Sequence, residues 1–376
     1  MSFRRVISQN HAVSYFQGVI SRGRLGHAYV FYGPEGVGKA LFARELTKAL
    51  FCQTKGGAST PGGLPSNDAC DVCNPCGKVD SGMHPDLYWV TPLEGKRDIA
   101  IRQIRDLEDR AYLKPLEANR RVFVLEDADK MTEEASNCLL KTLEEPPPCT
   151  LFLLTTTSAP SLRRTILSRC QMIRFQSLPT EVVRGLIDGG RPESPSTMDR
   201  AKVENPPSLG RALSLQMALL LSCGSPGRAA KLREERVASH IDRFLEILQG
   251  LRSVDSFSIT QELIEWCPDT TGLEGRRSLL RTWLDLLLAY YRDMLLYKVR
   301  GGGPGLFYGG FVPSFETRTR DLSADTILQI LEDIVTTIEG LYSNANLNLL
   351  LDNLFLRLAS YERATGDSRQ GLGARG

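Results

Sequence analysis

Apolar and polar residues follow two rhythms in the first half of the chain and a single rhythm in the second. Short apolar runs predict strands, in "AYVFY" (28–32), "DLYWVTP", "RRVFVLEDA" and "TLFLLTTTS". Apolar residues spaced three and four apart predict helices between these runs, in "ALFAREL", "IRQIRDLEDRAYLKP" and "TEEASNCLLKTLEEPPP". Since strands that alternate with helices form parallel sheets, residues 1–178 predict an α/β domain with helices on both faces.

Past residue 178 we find no further strand pattern. Residues 179–234 read as a small helical domain, interrupted by a Gly/Pro/Ser-rich stretch that predicts an exposed loop. From 235 to 362 the segments with apolar residues three and four apart become longer, which predicts an all-helical third domain. The polar end, 363–376, predicts a disordered tail. The sequence therefore predicts three domains and a tail.

Composition narrows the class of protein. The 376 residues are 42% hydrophobic and 24% charged, which is typical of a globular protein with sizeable cores. Lys and Arg number 46 against 44 Asp and Glu, so the net charge does not draw the whole chain to nucleic acid. Charges interrupt the most apolar helical segment, and the start has no continuous apolar stretch, so we expect neither a membrane span nor a secretion signal. We expect a cytoplasmic protein.

A phosphate-binding pattern follows the first predicted strand, in "GPEGVGKA" (33–40). Glycines at Gly33, Gly36 and Gly38 let backbone N–H groups converge on phosphates, and Lys39 adds a positive charge. The usual Ser or Thr, whose hydroxyl holds Mg²⁺, is replaced by Ala40. An ordinary glycine turn is the alternative, although its place between a strand and a helix favours a nucleotide loop.

An acidic pair ends the strand "VFVL", at Glu126 and Asp127. ATPases with such a loop commonly have Asp and then Glu there, one for Mg²⁺ and one for the attacking water. The inverted order shortens the carboxylate at the water position, and a misplacement of about 1 Å can cost ~100-fold in rate. We therefore expect that ATP or ADP can still bind and that hydrolysis does not survive, unless water replaces the missing hydroxyl of Ala40.

Four cysteines predict a metal site. Three of them form C-x-x-C-x-x-C in a Gly/Pro-rich segment, and the fourth stands at the end of the helix that follows the phosphate loop: Cys52, Cys70, Cys73 and Cys76. Four thiolates at short spacing suit a closed, structural Zn²⁺ site within about residues 52–77. Redox pairing of the cysteines is the alternative.

Two arginines stand near turns where they could reach a phosphate. Arg169 lies in "TILSRC", after the last predicted strand, and Arg228 follows the Gly/Pro turn of "GSPGRA". By sequence alone, a solvated surface charge is the favoured interpretation of Arg169, and Arg228 is interpreted as a solvated charge at the start of a helix.

Together, "HAYVFYGPEGVGKALFAREL", "CDVCNPC", "VFVLEDADKMTEEASNCLLKTLEEPP" and "TILSRC" resemble the bacterial DNA polymerase III clamp-loader subunits of the AAA+ group, those of the delta-prime type in particular. The resemblance covers most of residues 25–178 and is looser in the third domain. It implies an AAA+ domain, a helical lid and a helical collar that joins subunits in a pentameric ring. Delta-prime subunits are largely non-hydrolysing members of that ring, so the chain is not expected to be an enzyme by itself.

The resemblance also implies roles and partners. Arg169 is similar to the arginine finger placed in trans at the ATP site of the adjacent gamma/tau subunit, and Arg228 to an arginine facing the subunit's own nucleotide. The implied partners are the gamma/tau and delta subunits and, through the complex, the beta sliding clamp and primed DNA.

Other functions stay open at this point. An ATP-hydrolysing gamma/tau-like subunit shares the cysteine module, "LLKTLEEPP" and "SRC", but it keeps a hydroxyl at position 40 and an Asp-Glu pair. An autonomous ATPase would turn over ATP as an isolated chain. A zinc-dependent nucleic-acid-binding module is disfavoured, because the cysteine segment has few basic residues and no aromatic ones to stack on bases.

Overall fold

A computed structural model describes most of the chain. The described residues are 2–54, 68–93, 98–187, 219, 222, 224–232, 240–250, 255–267, 272–301, 306, 312–341 and 345–364. They divide into two compact units, one of residues 1–189 with 224–228 and one of residues 190–223 with 229–376.

A five-stranded parallel sheet forms the centre of the first unit. Its strands, in chain order, are β1 (Ala28–Tyr32), β2 (Leu87–Val90), β3 (Arg121–Leu125), β4 (Thr150–Thr156) and β5 (Gln171–Arg174). The spatial order is β2-β3-β4-β1-β5, and every pairing is parallel. The sheet therefore confirms the predicted parallel α/β domain.

Helices accompany the strands of this unit. They are α1 (Asn10–Ser21), α2 (Lys39–Phe51), α3 (Asn74–Asp80), α4 (Ile101–Ala111), α5 (Glu133–Glu144), α6 (Arg164–Leu167) and α7 (Thr180–Ile187). Thr132 caps α5, since its side chain accepts a hydrogen bond from the Ala135 N–H, and three prolines follow the helix. Leu139, Leu143 and Ile166 pack α5 and α6 into one core with β3 and β4.

Strand β5 is absent from the sequence prediction. It has four residues, of which only Ile173 is buried, so it offers neither a long apolar run nor a clear alternation. Helix α3, within the cysteine segment, was likewise not predicted, because its seven residues show no apolar period.

Helices make up the rest of the described chain: α8 (Pro226–Leu232), α9 (Ile241–Gly250), α10 (Ser256–Glu265), α11 (Gly272–Arg300), α12 (Val312–Asp321), α13 (Ala324–Gly340) and α14 (Leu347–Ala364). Helices α9–α14 share one core around Trp283 and Tyr290. Inside it, Arg318 donates to the Glu362 carboxylate at 2.8 Å. The predicted helical C-terminal region is confirmed.

The predicted division into lid and collar at residue 234 stays a prediction, because most of the surrounding residues lie outside the described ones. The predicted tail begins at 363, where α14 continues to Ala364, and the remainder is also outside the described residues. No helix in the described part of the chain has the length and apolar character to span a bilayer.

Candidate functional site

The phosphate-binding pattern lies in the turn between β1 and α2. Gly36 and Gly38 have φ of 72° and 98°, in the left-handed region that favours glycine, and Gly38 directly precedes α2. The loop also lies at the carboxyl end of β1, next to β4, where ligands bind in open parallel sheets. The turn therefore has the position and backbone conformation of a phosphate cradle.

Lys39 points back into this loop. The residue is 7% exposed, and its Nζ donates to the carbonyls of Gly33 and Pro34, both at 2.7 Å. Burial lowers the pKa of Lys39, while the negative charges of Asp127 and Glu35 oppose that shift. The lysine thus lies within the electrostatic reach of the acidic strand end.

Ala40 occupies the first turn of α2 and is half-buried. A methyl group has no lone pair for a cation, so the loop contributes no hydroxyl ligand at this position. The replacement is local, since the predicted helix still follows the loop, from Lys39 to Phe51.

The acidic pair follows β3, the strand next to β4. Glu126 Oε2 accepts the indole N–H of Trp89 at 2.9 Å. Asp127 adopts a φ of 52°, its N–H donates to Thr155 Oγ1 at 3.1 Å, and its carboxylate pairs with Lys130 at 2.9 Å. Each carboxylate therefore already has a protein partner.

The segment 224–228 contacts the phosphate loop directly. Ser225 Oγ donates to the Glu35 carbonyl at 2.6 Å and accepts the Arg228 N–H at 3.1 Å, while the Gly227 N–H donates to the Gly36 carbonyl at 3.2 Å. A Cβ at Gly36 would lie 3.0 Å from Gly227 Cα and 3.1 Å from the Arg228 nitrogen, so only glycine fits. The structure thus brings the Arg228 backbone to the loop.

Ser225 and Gly227 were missed as site residues. The signal was available, because Ser followed by Pro is a common start of a helix, and Ser225 precedes the Pro226 that opens α8. What the sequence could not provide is the approach of two glycines 191 positions apart.

The four predicted cysteines come together in one cluster. Their Sγ atoms all lie within 4.8 Å of one another, with Cys73 and Cys76 at 3.4 Å. A tetrahedral site with Zn–S bonds of about 2.3 Å requires S···S distances near ~3.8 Å. The Cys70 and Cys73 N–H groups donate to Cys52 Sγ and Cys70 Sγ at 3.4 and 3.3 Å, as suits thiolates. The four residues fit a metal ion.

A buried charge network attaches this cluster to α2 and was also missed. Lys48, fully buried, pairs with Glu45 at 2.8 Å, with Asp71 at 2.8 Å and with Asp80 at 3.2 Å. Burial alone would lower the pKa of Lys48, but the hydrogen bonds that Lys48 donates to the Asp71 and Glu45 carboxylates outweigh burial and raise that pKa. Glu45 and Lys48 lie one helical turn apart, which sequence reasoning treats as an ordinary surface pair.

Arg169 follows α6 at the edge of this unit. Its side chain is 32% exposed; it pairs with the Glu144 carboxylate, and its Nη1 donates to the Thr165 carbonyl at 2.9 Å and to Ser168 Oγ at 3.1 Å. The acidic partner comes from α5, 25 positions earlier, so the absence of an acidic neighbour in the sequence did not mean the absence of one in space.

Comparison with known proteins now adds to this geometry. A sequence profile of the family described as "DNA polymerase III, delta subunit" matches residues 8–179, the part of the chain that holds the phosphate loop, the cysteines and Arg169.

Two relatives differ in how much of them the chain covers. It is 28% identical to DNA polymerase III subunit delta' of Bacillus subtilis over 90% of this chain and 92% of that protein. It is 35% identical to DNA polymerase III subunit tau of Escherichia coli, but over 49% of this chain and 27% of that protein. The chain thus spans nearly the whole of the delta' relative and about a quarter of the tau relative.

Among solved structures, a DNA polymerase III gamma subunit-related protein from Thermotoga maritima matches with a TM-score of 0.40 at 17% identity, over 93% of this chain and 99% of that one. A score this low carries no argument, and the sequence matches stand without it. They confirm the resemblance that the motifs predict: over nine-tenths of its length, the chain resembles the delta-prime subunit of the bacterial DNA polymerase III.

Proposed function

We propose that this chain is a delta-prime-like subunit of the DNA polymerase III clamp loader. It completes the loader ring without hydrolysing ATP itself and provides Arg169 to the ATP site of the neighbouring gamma/tau subunit. The observation that carries this proposal is a contrast within one domain: the loop that would bind phosphate ends in Ala40, whereas Arg169 lies at the surface with donors to spare.

The contacts of the acidic pair support the loss of hydrolysis. Glu126 is engaged by the Trp89 indole and Asp127 by Lys130, while Ala40 offers no hydroxyl. A divalent cation would have to compete with these contacts and would lack one usual ligand. ATP or ADP can still bind through the loop glycines and Lys39, with Arg228 on the same subunit's nucleotide.

The cysteine cluster has a structural role in this proposal. Four thiolates are a usual ligand set of structural Zn²⁺, and they leave no open coordination position for a substrate. The ion ties the segment after α2 to the rest of the domain.

The partners follow from the resemblance. We propose assembly with gamma/tau and delta subunits into a ring with the helical C-terminal region as collar, and action on the beta sliding clamp and primed DNA through that complex. Bacterial chromosome replication takes place in the cytoplasm, so the proposal places the chain there.

The test is ATP turnover by the loader reconstituted with its cognate subunits, with or without Arg169→Ala. We expect assembly to be unchanged and turnover to fall, because arginine fingers contribute about 10³-fold or more at the site they serve. Turnover equal to that of the unaltered complex would reject the finger.

The gamma/tau-like alternative keeps its support from the 35% match to tau. It predicts Mg²⁺-dependent turnover by the isolated chain that disappears in Lys39→Ala. We expect the unaltered isolated chain and Lys39→Ala to give the same background rate; a clear difference between them would overturn the non-hydrolysing assignment.

A further inference from the structure

Two arginines flank the short helix α6, and each binds one end of α5. Arg163 precedes α6 and pairs with Glu133 at 2.7 Å, in the first turn of α5. Arg169 follows α6 and pairs with Glu144, the last residue of α5. Helix α5 therefore holds the arginine-bearing turn at both ends.

The two glutamates differ in what the helix does for them. Glu133 lies at the positive end of the α5 dipole, where a carboxylate is stabilising, and its hydrogen bond with Arg163 lowers its pKa. Glu144 lies at the negative end, where a carboxylate is unfavourable, and Glu145 adds a second charge beside it. Helix stability explains Glu133 but gives no reason for Glu144.

The contact with Arg169 provides a reason. Its Nη1 is held by the Thr165 carbonyl and Ser168 Oγ of its own turn, and its Nη2 by the Glu144 carboxylate. A guanidinium has five N–H donors, so these three bonds, the ones found within the described residues, orient its plane and leave two donors for a further acceptor.

The glutamate is placed by a rigid element. Its helical neighbour Leu143 and the α6 residue Ile166 are buried in the same core, at 1% and 0% exposure. The end of α5 and the turn that bears Arg169 are therefore fixed relative to each other, as a positioning contact requires.

We propose that Glu144 is a positioning residue for Arg169: it fixes the guanidinium so that the remaining donors are presented to a phosphate oxygen on the adjacent subunit. This inference rests on the proposed function of Arg169. The Arg169 and Glu144 side chains are 32% and 51% exposed, so solvent screens the pair and it adds little to folding. Its loss is therefore expected in turnover rather than in stability.

The experiment uses the reconstituted loader and compares Glu144→Ala, Glu144→Gln, Arg169→Ala and the double variant Glu144→Ala/Arg169→Ala. Glu145→Ala is the matched control, because it removes the neighbouring exposed carboxylate. We expect Glu144→Ala to lower kcat roughly twofold or more at unchanged KM for ATP, because misorientation weakens the transition state and not nucleotide binding. Glu144→Gln keeps an oxygen acceptor and should retain most of the turnover.

The double variant should be no slower than Arg169→Ala, since Glu144 acts only through the arginine. Turnover that Arg169→Ala leaves intact would reject the finger itself. If Arg169→Ala lowers turnover, three results would overturn the positioning role. The Glu144→Ala complex could turn over ATP as fast as the unaltered complex or faster, or at the same rate as the Glu145→Ala complex. The double variant could also be slower than Arg169→Ala. Thermal unfolding of each variant subunit checks folding. If Glu144→Ala is unstable, Glu144→Ser, whose side chain is too short to keep the contact with Arg169, takes its place with the same expected loss of turnover.

Discussion

The two ends of helix α2 carry two sites in very different states. Lys39 and Ala40 of the phosphate loop lie in its first turn, and Cys52 of the cysteine cluster directly follows its last residue, Phe51. All four cysteines converge at the second site, whereas at the first a ligand position is a methyl group and the carboxylates contact protein groups.

This difference shows what each site still contributes. A structural metal site works only with its full ligand set, because the binding free energy is also folding free energy. A phosphate loop can keep its backbone conformation after its chemistry is lost, since the glycines and the contacts of Lys39 with the Gly33 and Pro34 carbonyls stabilise the turn. One end of α2 therefore predicts a large stability effect and the other a small one.

The largest effect is expected from Cys73→Ser, which removes one of the four ligands. We expect the bound metal to be lost and the domain to be destabilised by up to about 10 kcal/mol, because the free energy of zinc binding contributes to folding. Metal analysis and thermal unfolding measure both. Cys149→Ser, at an exposed free cysteine, is the control. If the Cys73→Ser protein lacked metal and were as stable as this control, the cysteine site would contribute no more to folding stability than the phosphate loop does, and the comparison would fail.

The next largest effect is expected from Lys48→Met, in the charge network that joins α2 to the cluster. Removing the lysine leaves the fully buried Glu45 with the exposed Arg5, 3.3 Å away, as its remaining cationic partner, and breaking a buried pair in this way costs up to about 3–5 kcal/mol. The metal should be retained, because the cysteines are untouched. Lys78→Met, which breaks the exposed pair with Glu117, should cost no more than ~1 kcal/mol. Similar unfolding temperatures for the two variants would contradict this account.

The sequence predicts the local patterns of these two sites better than their contacts with other parts of the chain. Cysteine spacing and the glycine loop are local patterns, so both their position and their geometry could be predicted. Distant partners of Glu126, Arg169 and Lys48 come from other parts of the chain, and only the folded chain brings them near: Trp89, Glu144, Asp71 and Asp80. Ser225 and Gly227 were missed for the same reason, because they contact the loop directly but lie far from it in the sequence.

The helices and strands also differ in how well the sequence predicts them. Short apolar runs predicted β1, β3 and β4, because strands that are buried on both faces leave continuous apolar stretches. The three- and four-residue apolar spacing predicted α5, because a helix with one buried face leaves that pattern. Strand β5 and helix α3 are short, and neighbours rather than their own sequences stabilise them: β5 pairs with β1, and α3 contains the ligand Cys76.

The smallest effect compares two carboxylates. Asp86, 2% exposed, accepts three backbone N–H groups, from Leu116 and Glu117 at 2.7 Å and from Ala118 at 2.8 Å. Burial alone would raise its pKa, but these hydrogen bonds outweigh burial and lower it. Glu126 has one such contact, from Trp89. Asp86→Asn should therefore cost about 1–3 kcal/mol at pH 7, whereas Glu126→Gln, which keeps an acceptor, should stay within ~0.5 kcal/mol.

The pH dependence of the free energy of unfolding gives a further test of the role of Asp86. A folded-state pKa below the unfolded value of about 3.9 means that the Asp86 contribution is present above that pH and is lost as the pH falls through the folded pKa. The stability gap between the unaltered chain and Asp86→Asn should thus stay constant from about pH 8 to pH 5 and shrink below about pH 4. Amide hydrogen exchange of β3 measures this gap within the first unit. If Glu126→Gln lowered the free energy of unfolding by as much as Asp86→Asn does, Glu126 would be a structural carboxylate like Asp86. The acidic residue near the phosphate-loop end of α2 would then stabilise the fold rather than hold a metal ion.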